Sequence, residues 1–174
     1  MQRVTGFGNG SFELADGVLS RIYSSDFGAV RDKLLLACGG HLGRAAVFSV
    51  EPPRARRSKS DDNESDVDSF SEEGDARTLL SWRAHRGWLS TVQFASDSRC
   101  LTSSNDGDVC LWDIQSASSM QPRSVTSFSP HNSGIFDAHF FSNTARLATA
   151  QKGKACVVST LRETSFSVVK VNSG

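Results

Sequence analysis

Three residues in the middle of the sequence have side chains that could cooperate in hydrolysis. His85 could act as a base, Ser104 as a nucleophile and Asp106 as the group that orients the histidine. A nucleophilic serine needs an exposed position beside an oxyanion hole, which many hydrolases provide with a GxSxG turn. Ser104 lies in TSSNDGD, where that motif is missing. We therefore expect no catalytic residue and no enzymatic activity.

The candidate ligands for metals and phosphates are also spaced wrongly for those roles. The histidines His41, His131 and His139 do not cluster with cysteine or carboxylate at ligand spacing, and no CxxC pair occurs. The glycine-rich run GFGNGS lacks the preceding strand, the following helix and the Lys-Ser/Thr end of a phosphate-binding loop. We expect no metal and no cofactor. We expect reduced thiols within apolar or strand-like runs at Cys38, Cys100, Cys110 and Cys156.

Composition favours a globular protein without a membrane span. Of the 174 residues, 38% are hydrophobic and 22% charged, and no apolar run approaches the roughly 20 residues that a spanning helix needs. The N-terminus shows no apolar segment or cleavage site typical of a secretory signal, which favours an intracellular setting. The net charge of zero conceals an asymmetry, because residues 61–75 hold eight acidic and no basic residues. The remainder has 19 basic and 11 acidic residues.

Three stretches of the chain resemble one another. HRGWLSTVQF (85–94) aligns without a gap with HNSGIFDAHF (131–140), and CLTSSNDGDVCLWD (100–113) aligns with LATAQKGKACVVST (147–160) and LACGGHLGRAAVFS (36–49). Each copy has apolar residues near every second position, interrupted by turn residues, and none has a sustained helical period. The spacing leaves room for three strands per copy and a fourth between copies. Four strands per repeat is typical of a β-propeller blade.

With its Trp112-Asp113 pair, the middle copy resembles the WD-repeat (β-transducin) family. The resemblance implies an all-β fold, a partial β-propeller of three four-stranded antiparallel blades, and about three blades of a larger propeller, since closed rings have about four to eight. We expect a leader and a strand of a preceding blade over residues 1–16, followed by blades over 17–83, 84–129 and 130–174, the last degenerate.

The resemblance also implies a buried hydrogen-bonded chain in the second blade. In the family the indole N–H meets the serine, the serine meets the histidine, and the histidine meets the turn aspartate, which assigns these roles to Trp112, Ser104, His85 and Asp106. Tryptophan only donates and aspartate only accepts, so residues that do both fit between them. The corresponding positions are altered in the other two copies, which we expect to depend on strand pairing and apolar packing alone.

The family's exposed top face gives the candidate protein-binding residues. By position these are Trp88, Ser90, Asn105, Phe136, Lys152 and His41. The acidic insert, at about residues 51–77, contains too few apolar residues to order itself and is predicted to be a disordered, Ser-rich regulatory loop. Its candidate phosphorylation sites are Ser58, Ser60, Ser65 and Ser69.

The sequence thus predicts a non-enzymatic scaffold that mediates protein–protein interaction in the cytoplasm, the nucleus or both, as part of a multiprotein complex. Its partners would be proteins or peptides, with no membrane; nucleic acid is an alternative that the dispersed basic residues do not favour. A further alternative is a substrate receptor of a ubiquitin ligase, a role that some family members fill through Trp-Asp-x-Arg. Gln115 stands where that arginine would be.

Overall fold

The computed structural model describes residues 21–30, 32–50, 76–116, 121–151, 156–162 and 165–171. Within these ranges the regular structure is entirely β, and none of them contains a helix that could span a lipid bilayer. The twelve strands are β1 Ile22–Val30, β2 Lys33–Gly40, β3 Arg44–Val50, β4 Ala76–Arg83, β5 Leu89–Ser96, β6 Arg99–Ser104, β7 Val109–Asp113, β8 Arg123–Phe128, β9 Ile135–Phe141, β10 Arg146–Gln151, β11 Cys156–Arg162 and β12 Ser165–Val171.

The strands form three antiparallel sheets of four, each built from consecutive strands. The orders are β1-β2-β3-β4, β5-β6-β7-β8 and β9-β10-β11-β12. This is the arrangement of propeller blades, so the predicted all-β fold of four-stranded antiparallel blades is confirmed. We call the sheets blade one, blade two and blade three.

The aligned sequence copies keep the same strand register in all three blades. Trp112 of β7 pairs with Cys100 of β6, and the aligned residues pair in the same way as Phe48 with Leu36 in blade one and as Ser159 with Leu147 in blade three. Because a one-residue slip would move every side chain to the opposite face, this agreement means that aligned residues occupy the same face of each blade.

Two glycines explain how the turns of one blade fit against the next blade. Gly43 and Gly107 have φ angles of 71° and 93°, a region that residues with a Cβ rarely adopt. A Cβ on Gly43 would lie 2.2 Å from the main-chain oxygen of His85 in blade two. One on Gly107 would lie 3.4 Å from the main-chain oxygen of His131 in blade three. Both turns therefore face main-chain oxygens of the next blade, and the approach is much closer at Gly43 than at Gly107.

The inner strands β1, β5 and β9 lie side by side, and apolar residues fill the space between blades. One buried cluster, which includes Val47, Trp82 and Leu89, joins blade one to blade two. A second, which includes Leu101, Ile135 and Phe140, joins blade two to blade three. The blades thus pack face to face through side chains that alternate along each strand.

Several predictions fall outside the described residues. They concern the leader at residues 1–16, nearly all of the acidic insert with its four serines, and Lys152. β4 begins at Ala76, so Ala76 and Arg77, which the prediction placed at the end of the insert, belong to that strand.

Candidate functional site

A relay of hydrogen bonds crosses the interior of blade two. The indole Nε1–H of Trp112 donates to Thr102 Oγ1 at 2.9 Å. Thr102 Oγ1 lies 2.8 Å from Nε2 of His85, whose Nδ1 lies 3.2 Å from Oδ1 of Asp106. Thr102 is fully buried and His85 nearly so. The structure therefore brings together three of the four residues expected to form this chain, with Thr102 as the hydroxyl at its centre.

The prediction that Ser104 occupies the centre of the relay is wrong, and the register explains why. Trp112 is directly opposite Cys100, so Thr102, two residues further along β6, is its diagonal neighbour on the same face. Ser104 is two residues beyond that, at the end of the strand. Its Oγ instead accepts the main-chain N–H of Asp106 at 3.1 Å, which shapes the turn after β6.

The donors and acceptors of the relay fix the protonation of His85. Burial lowers the pKa of His85, although the neighbouring charge and hydrogen bond of Asp106 act in the opposite direction. The imidazole is therefore neutral at neutral pH. Because the ionised carboxylate of Asp106 can only accept, the single proton of the neutral ring lies on Nδ1, and Nε2 accepts the hydroxyl hydrogen of Thr102, whose oxygen accepts from the indole.

Asp106 also ties the turn of blade two to the segment before β5. Its Oδ2 accepts the main-chain N–H of Arg86 at 2.9 Å, and its Oδ1 accepts that of Asp108 at 3.1 Å. Burial alone would raise the pKa of Asp106, but its electrostatic interaction with the His85 imidazole and the hydrogen bonds from these N–H groups hold it below its ordinary value. The carboxylate therefore accepts hydrogen bonds in its ionised form.

Blade three keeps part of the relay, which corrects the expectation that it depends on strand pairing and apolar packing alone. His131 Nε2 lies 2.9 Å from Thr149 Oγ1, the counterpart of Thr102. Ser159 stands where blade two has Trp112, and its buried hydroxyl has no hydrogen-bond partner among the residues that the structure describes. With no indole donor on this hydroxyl, Thr149 Oγ1 can accept from His131, and its own hydrogen is directed to the Val157 carbonyl at 3.4 Å.

Blade one replaces the relay with apolar groups. Cys38 stands at the position of Thr102 and Phe48 at that of Trp112, and both belong to a small buried cluster with Ala46. Burial raises the pKa of the Cys38 thiol to about 12, so the thiol is protonated and behaves as an apolar group. The three blades thus fill one position with a full relay, a shortened relay and an apolar cluster.

The relay connects strands within the blade and leaves the central hydroxyl buried. Thr102 has no exposed surface from which to reach a substrate, and its hydroxyl is already engaged on both sides. The described residues contain no group of three or more His, Cys, Asp or Glu side chains that could hold a metal ion. The cysteines Cys38, Cys100 and Cys110 are free and buried.

A different set of residues forms an exposed face across all three blades. Tyr23 of blade one packs edge to face on Trp88, just before β5, with ring centroids 5.6 Å apart. Trp88 in turn lies 6.4 Å from Phe136 of blade three. Tyr23 and Phe136 are each 50% exposed. We call these three residues the aromatic row, to which each blade contributes one ring.

The other residues predicted on this face have varied surroundings. His41 extends the aromatic row at one end, where its Nδ1 lies 3.1 Å from the Tyr23 hydroxyl. Asn105 is exposed and sits against Gly134, where an added Cβ would lie 2.3 Å from its side-chain oxygen. Ser90 is half-buried and bonds to Ser103 at 2.9 Å, so it is engaged inside the blade.

Sequence reasoning missed Tyr23 and Thr102. Both could have been found from the repeat, because Tyr23 occupies in β1 the position of Phe136 in β9, and Thr102 aligns with Thr149. An alignment by residue type that sets GVLSRIYSS (17–25) over GWLSTVQFA (87–95) starts the inner strand of the first copy too early and hides the match of Tyr23.

Comparison with known proteins agrees with this architecture. The family model described as WD domain, G-beta repeat (WD40) matches residues 76–113, from β4 to the end of β7. A chain in a humanized mutant of the Chaetomium thermophilum Polycomb Repressive Complex 2 bound to the inhibitor GSK126 is 15% identical, with a TM-score of 0.61 over 95% of this chain and 29% of that chain. In the crystal structure of the Chaetomium thermophilum complex, a chain is 15% identical, with a TM-score of 0.59 over 83% of this chain and 26% of that one.

The family match is confined to residues 76–113. These residues match the WD40 repeat, so the predicted resemblance to the WD-repeat β-propeller family is confirmed there. At 15% identity the solved structures show a shared fold. The chain spans less than a third of the length of these solved chains.

Proposed function

We propose that this chain is a non-enzymatic WD-repeat scaffold that binds other proteins or peptides through the aromatic row. The observation that carries the proposal is the row itself: three large rings, one from each blade, lie in contact on an exposed face. Aromatic residues dominate the energetics of protein interfaces, because they bury a large area at little cost in side-chain entropy.

The position of the row gives it a rigid support. Trp88 follows the segment that Asp106 anchors, and Phe136 follows the segment that packs on Gly107. Binding residues held by strands and tight turns lose little entropy when a partner binds. The relay of blade two therefore contributes to function indirectly, by fixing where Trp88 stands.

Two further features are consistent with this role. The chains of similar fold come from structures of a multiprotein complex, which accords with a scaffold that works within an assembly. We place the protein in the nucleus, the cytoplasm or both.

We also propose that the Ser-rich acidic insert regulates partner binding through phosphorylation at Ser58, Ser60, Ser65 or Ser69, because added charge would strengthen its contact with basic surfaces.

Affinity purification with matched variants tests the binding proposal. The bait would be the tagged full-length chain as wild type, as Phe136→Ala and as Phe27→Ala, with quantitative mass spectrometry of the bound proteins. Phe27 is the control, since it is 54% exposed and is not a member of the aromatic row. We expect Phe136→Ala to lose at least one protein that the other two baits retain. Identical partner sets for all three baits would contradict the proposal.

The same experiment distinguishes proteins bound directly by the aromatic row from proteins retained through nucleic acid. Partners held by nucleic acid should disappear after nuclease treatment, and their retention should fall steeply with salt concentration. Partners held by the aromatic row should survive nuclease and depend on Phe136.

A further inference from the structure

Two arginines lie directly opposite each other at one end of blade one. Arg44, the first residue of β3, pairs with Arg83, the last residue of β4, so both side chains lie on the same face of the sheet. We call Arg44 and Arg83 the arginine pair. Because like charges directly opposite each other on a sheet are destabilising, an anion beside the pair would stabilise this end of the blade.

The arginine pair has donors available for such an anion. Arg44 donates from Nη2 to Ser81 Oγ at 3.1 Å, and Arg83 donates from Nε to the main-chain oxygen of His85 at 3.3 Å. Each guanidinium has five N–H donors, and these contacts use one donor of each. The buried Nε of Arg44 has no hydrogen-bond partner among the described residues. Within the same ranges, neither arginine forms an ion pair with a carboxylate.

Blade two fills the same position with a neutralising contact. Strand register makes Asp108 the counterpart of Arg44 and Ser129 the counterpart of Arg83. The Ser129 hydroxyl donates to Oδ1 of Asp108. Ser129 is exposed although blade one packs on that face of blade two. By the same geometry, a blade beside blade one would leave the arginine pair accessible.

Arginines at the opposite end of blade two stand beside a carboxylate. Arg99, the first residue of β6, is directly opposite Asp113 of β7, and Asp113 is directly opposite Arg123 of β8. The arginine pair differs because a second arginine occupies the place where these residues face a carboxylate. Its positive charge is therefore available to an anionic segment from elsewhere.

The chain itself carries an anionic segment that can reach the pair. Residues 61–75 hold eight acidic and no basic residues, within the connection between β3 and β4. Strand β3, from Arg44 to Val50, is about 20 Å long at the usual rise of a β-strand. Asn63 is 13 residues from Val50 and 13 from Ala76, so an extended chain reaches roughly 40 Å from either attachment. Tethering also gives the acidic residues a high local concentration at the pair.

We propose that the arginine pair is the docking site of the chain's own acidic segment, residues 61–75. Phosphorylation of Ser65 or Ser69 would strengthen this contact, because a phosphate group adds negative charge and fits the bidentate geometry of a guanidinium. The proposal deepens the regulatory role proposed above for the insert, and it rests on that role for its consequence. The docking itself can be measured without any partner of the aromatic row.

Paramagnetic relaxation enhancement tests the docking in the full-length chain. Asn63→Cys would carry a nitroxide label in the acidic segment, and main-chain amide intensities would be compared before and after the label is reduced. We expect the amides at positions 44 and 83 to lose most of their intensity and the amide at position 146, in blade three, to keep it. High salt should restore the lost intensity, because it screens charged contacts. Wild type treated with the same reagent corrects for labelling of the native cysteines.

Matched variants locate the docking site. In the labelled chain, Arg44→Gln/Arg83→Gln should restore the signals at positions 44 and 83. Arg123→Gln/Arg146→Gln removes the same charge elsewhere and should leave the loss unchanged. Arg83→Gln alone, at an exposed residue, provides the same test without disturbing the half-buried Arg44.

Three results would overturn the proposal. A loss confined to residues beside Val50 and Ala76 would place the acidic segment at the other end of the blade. No loss at positions 44 and 83 would leave the arginine pair open to an acidic segment of a partner. An equal loss in the double arginine variant would assign the contact to other residues. The amide spectrum also reports whether each variant is folded, and none of these results depends on Phe136, so the proposed binding function is tested separately.

Discussion

Blade two and blade three share one backbone plan and differ in what lies inside it. Their strands pair in the same register, and both place a histidine against a threonine hydroxyl. In blade two the contact continues to an indole and a carboxylate. Where blade three has Ser159 in place of the indole, a buried hydroxyl has no partner within the described part of the chain. A shared strand register is therefore enough to form the four-stranded blade. The full relay is an addition that stabilises blade two.

Blade one differs from both of these blades at the same interior position. Its cluster of Cys38, Ala46 and Phe48 fills the same position with no relay. An apolar filling costs little when no polar group is left unpaired, whereas a buried hydroxyl without a partner costs about 1–3 kcal/mol. The residues at this position therefore indicate how each blade is stabilised.

The largest expected effect comes from removing the indole of blade two. Trp112→Ala deletes the donor to Thr102 and the ring that packs edge to face on Trp82 at 5.7 Å. We expect the free energy of unfolding, measured with urea, to fall by about 3 kcal/mol. In contrast, Ser159→Ala should leave it unchanged or raise it slightly, because a buried, unpaired hydroxyl is removed. Equal losses for the two variants would contradict the difference between the blades.

Replacing the threonine of each relay should cause a smaller loss in the free energy of unfolding, and the loss should be larger at Thr102 than at Thr149. Thr102→Val keeps the shape of the side chain but leaves both Trp112 Nε1 and His85 Nε2 without a partner, and we expect a loss of about 2 kcal/mol. Thr149→Val leaves only His131 unpaired and should cost about 1 kcal/mol. Ser104→Ala is the control within β6, because it removes a turn contact and leaves the relay intact. A loss for Ser104→Ala as large as that for Thr102→Val would restore the prediction made from sequence.

Acid should weaken blade two through His85. Burial lowers the pKa of His85 in the folded chain below its unfolded value of about 6.5, so the unfolded chain takes up the proton first. The contribution of His85 is therefore complete above the unfolded pKa and is lost as the pH falls through and below it. We expect urea unfolding between pH 7.5 and 5.5 to show this fall, and the His85→Gln variant to show a shallower one.

Two other titratable groups, His131 and Asp106, also contribute to the pH dependence of stability. Burial also lowers the pKa of His131, so a residual slope should remain in the variant. Asp106, whose pKa lies below its ordinary value, contributes only at still lower pH. A pH slope that His85→Gln leaves unchanged would show that the relay histidine does not titrate as its burial requires.

The finest distinction concerns the tautomers of the two histidines and involves no change in sequence. The donor order of the relay places the proton of His85 on Nδ1, whereas the free acceptor on Thr149 places that of His131 on Nε2. Nitrogen-15 chemical shifts of the imidazoles at pH 8 would distinguish these forms. The same tautomer at both residues would mean that the indole does not set the direction of the relay.

Repetition made most of the architecture readable from sequence. The alignment of CLTSSNDGDVCLWD with its two copies identified the strands, because alternating apolar residues and glycine turns have a direct physical meaning. The centre of the relay was misassigned to Ser104 because the choice between two hydroxyls on one face depends on register, which a single sequence does not specify. Tyr23 was missed because GVLSRIYSS (17–25) aligns by residue type with GWLSTVQFA (87–95), whereas strand pairing makes Ile22, opposite Gly40, the equivalent of Leu89, opposite Ser104.

The central claim is that the polar interior serves stability while the aromatic row serves binding. Its most direct test is one titration series by fluorescence anisotropy, with a labelled peptide selected on the wild-type chain by phage display and added to wild type, Phe136→Ala, Thr149→Val and Phe27→Ala. The account predicts that Phe136→Ala weakens binding about tenfold or more with little change in stability. It also predicts that Thr149→Val and Phe27→Ala bind like wild type. Binding that survives Phe136→Ala but is lost in Thr149→Val would contradict the account.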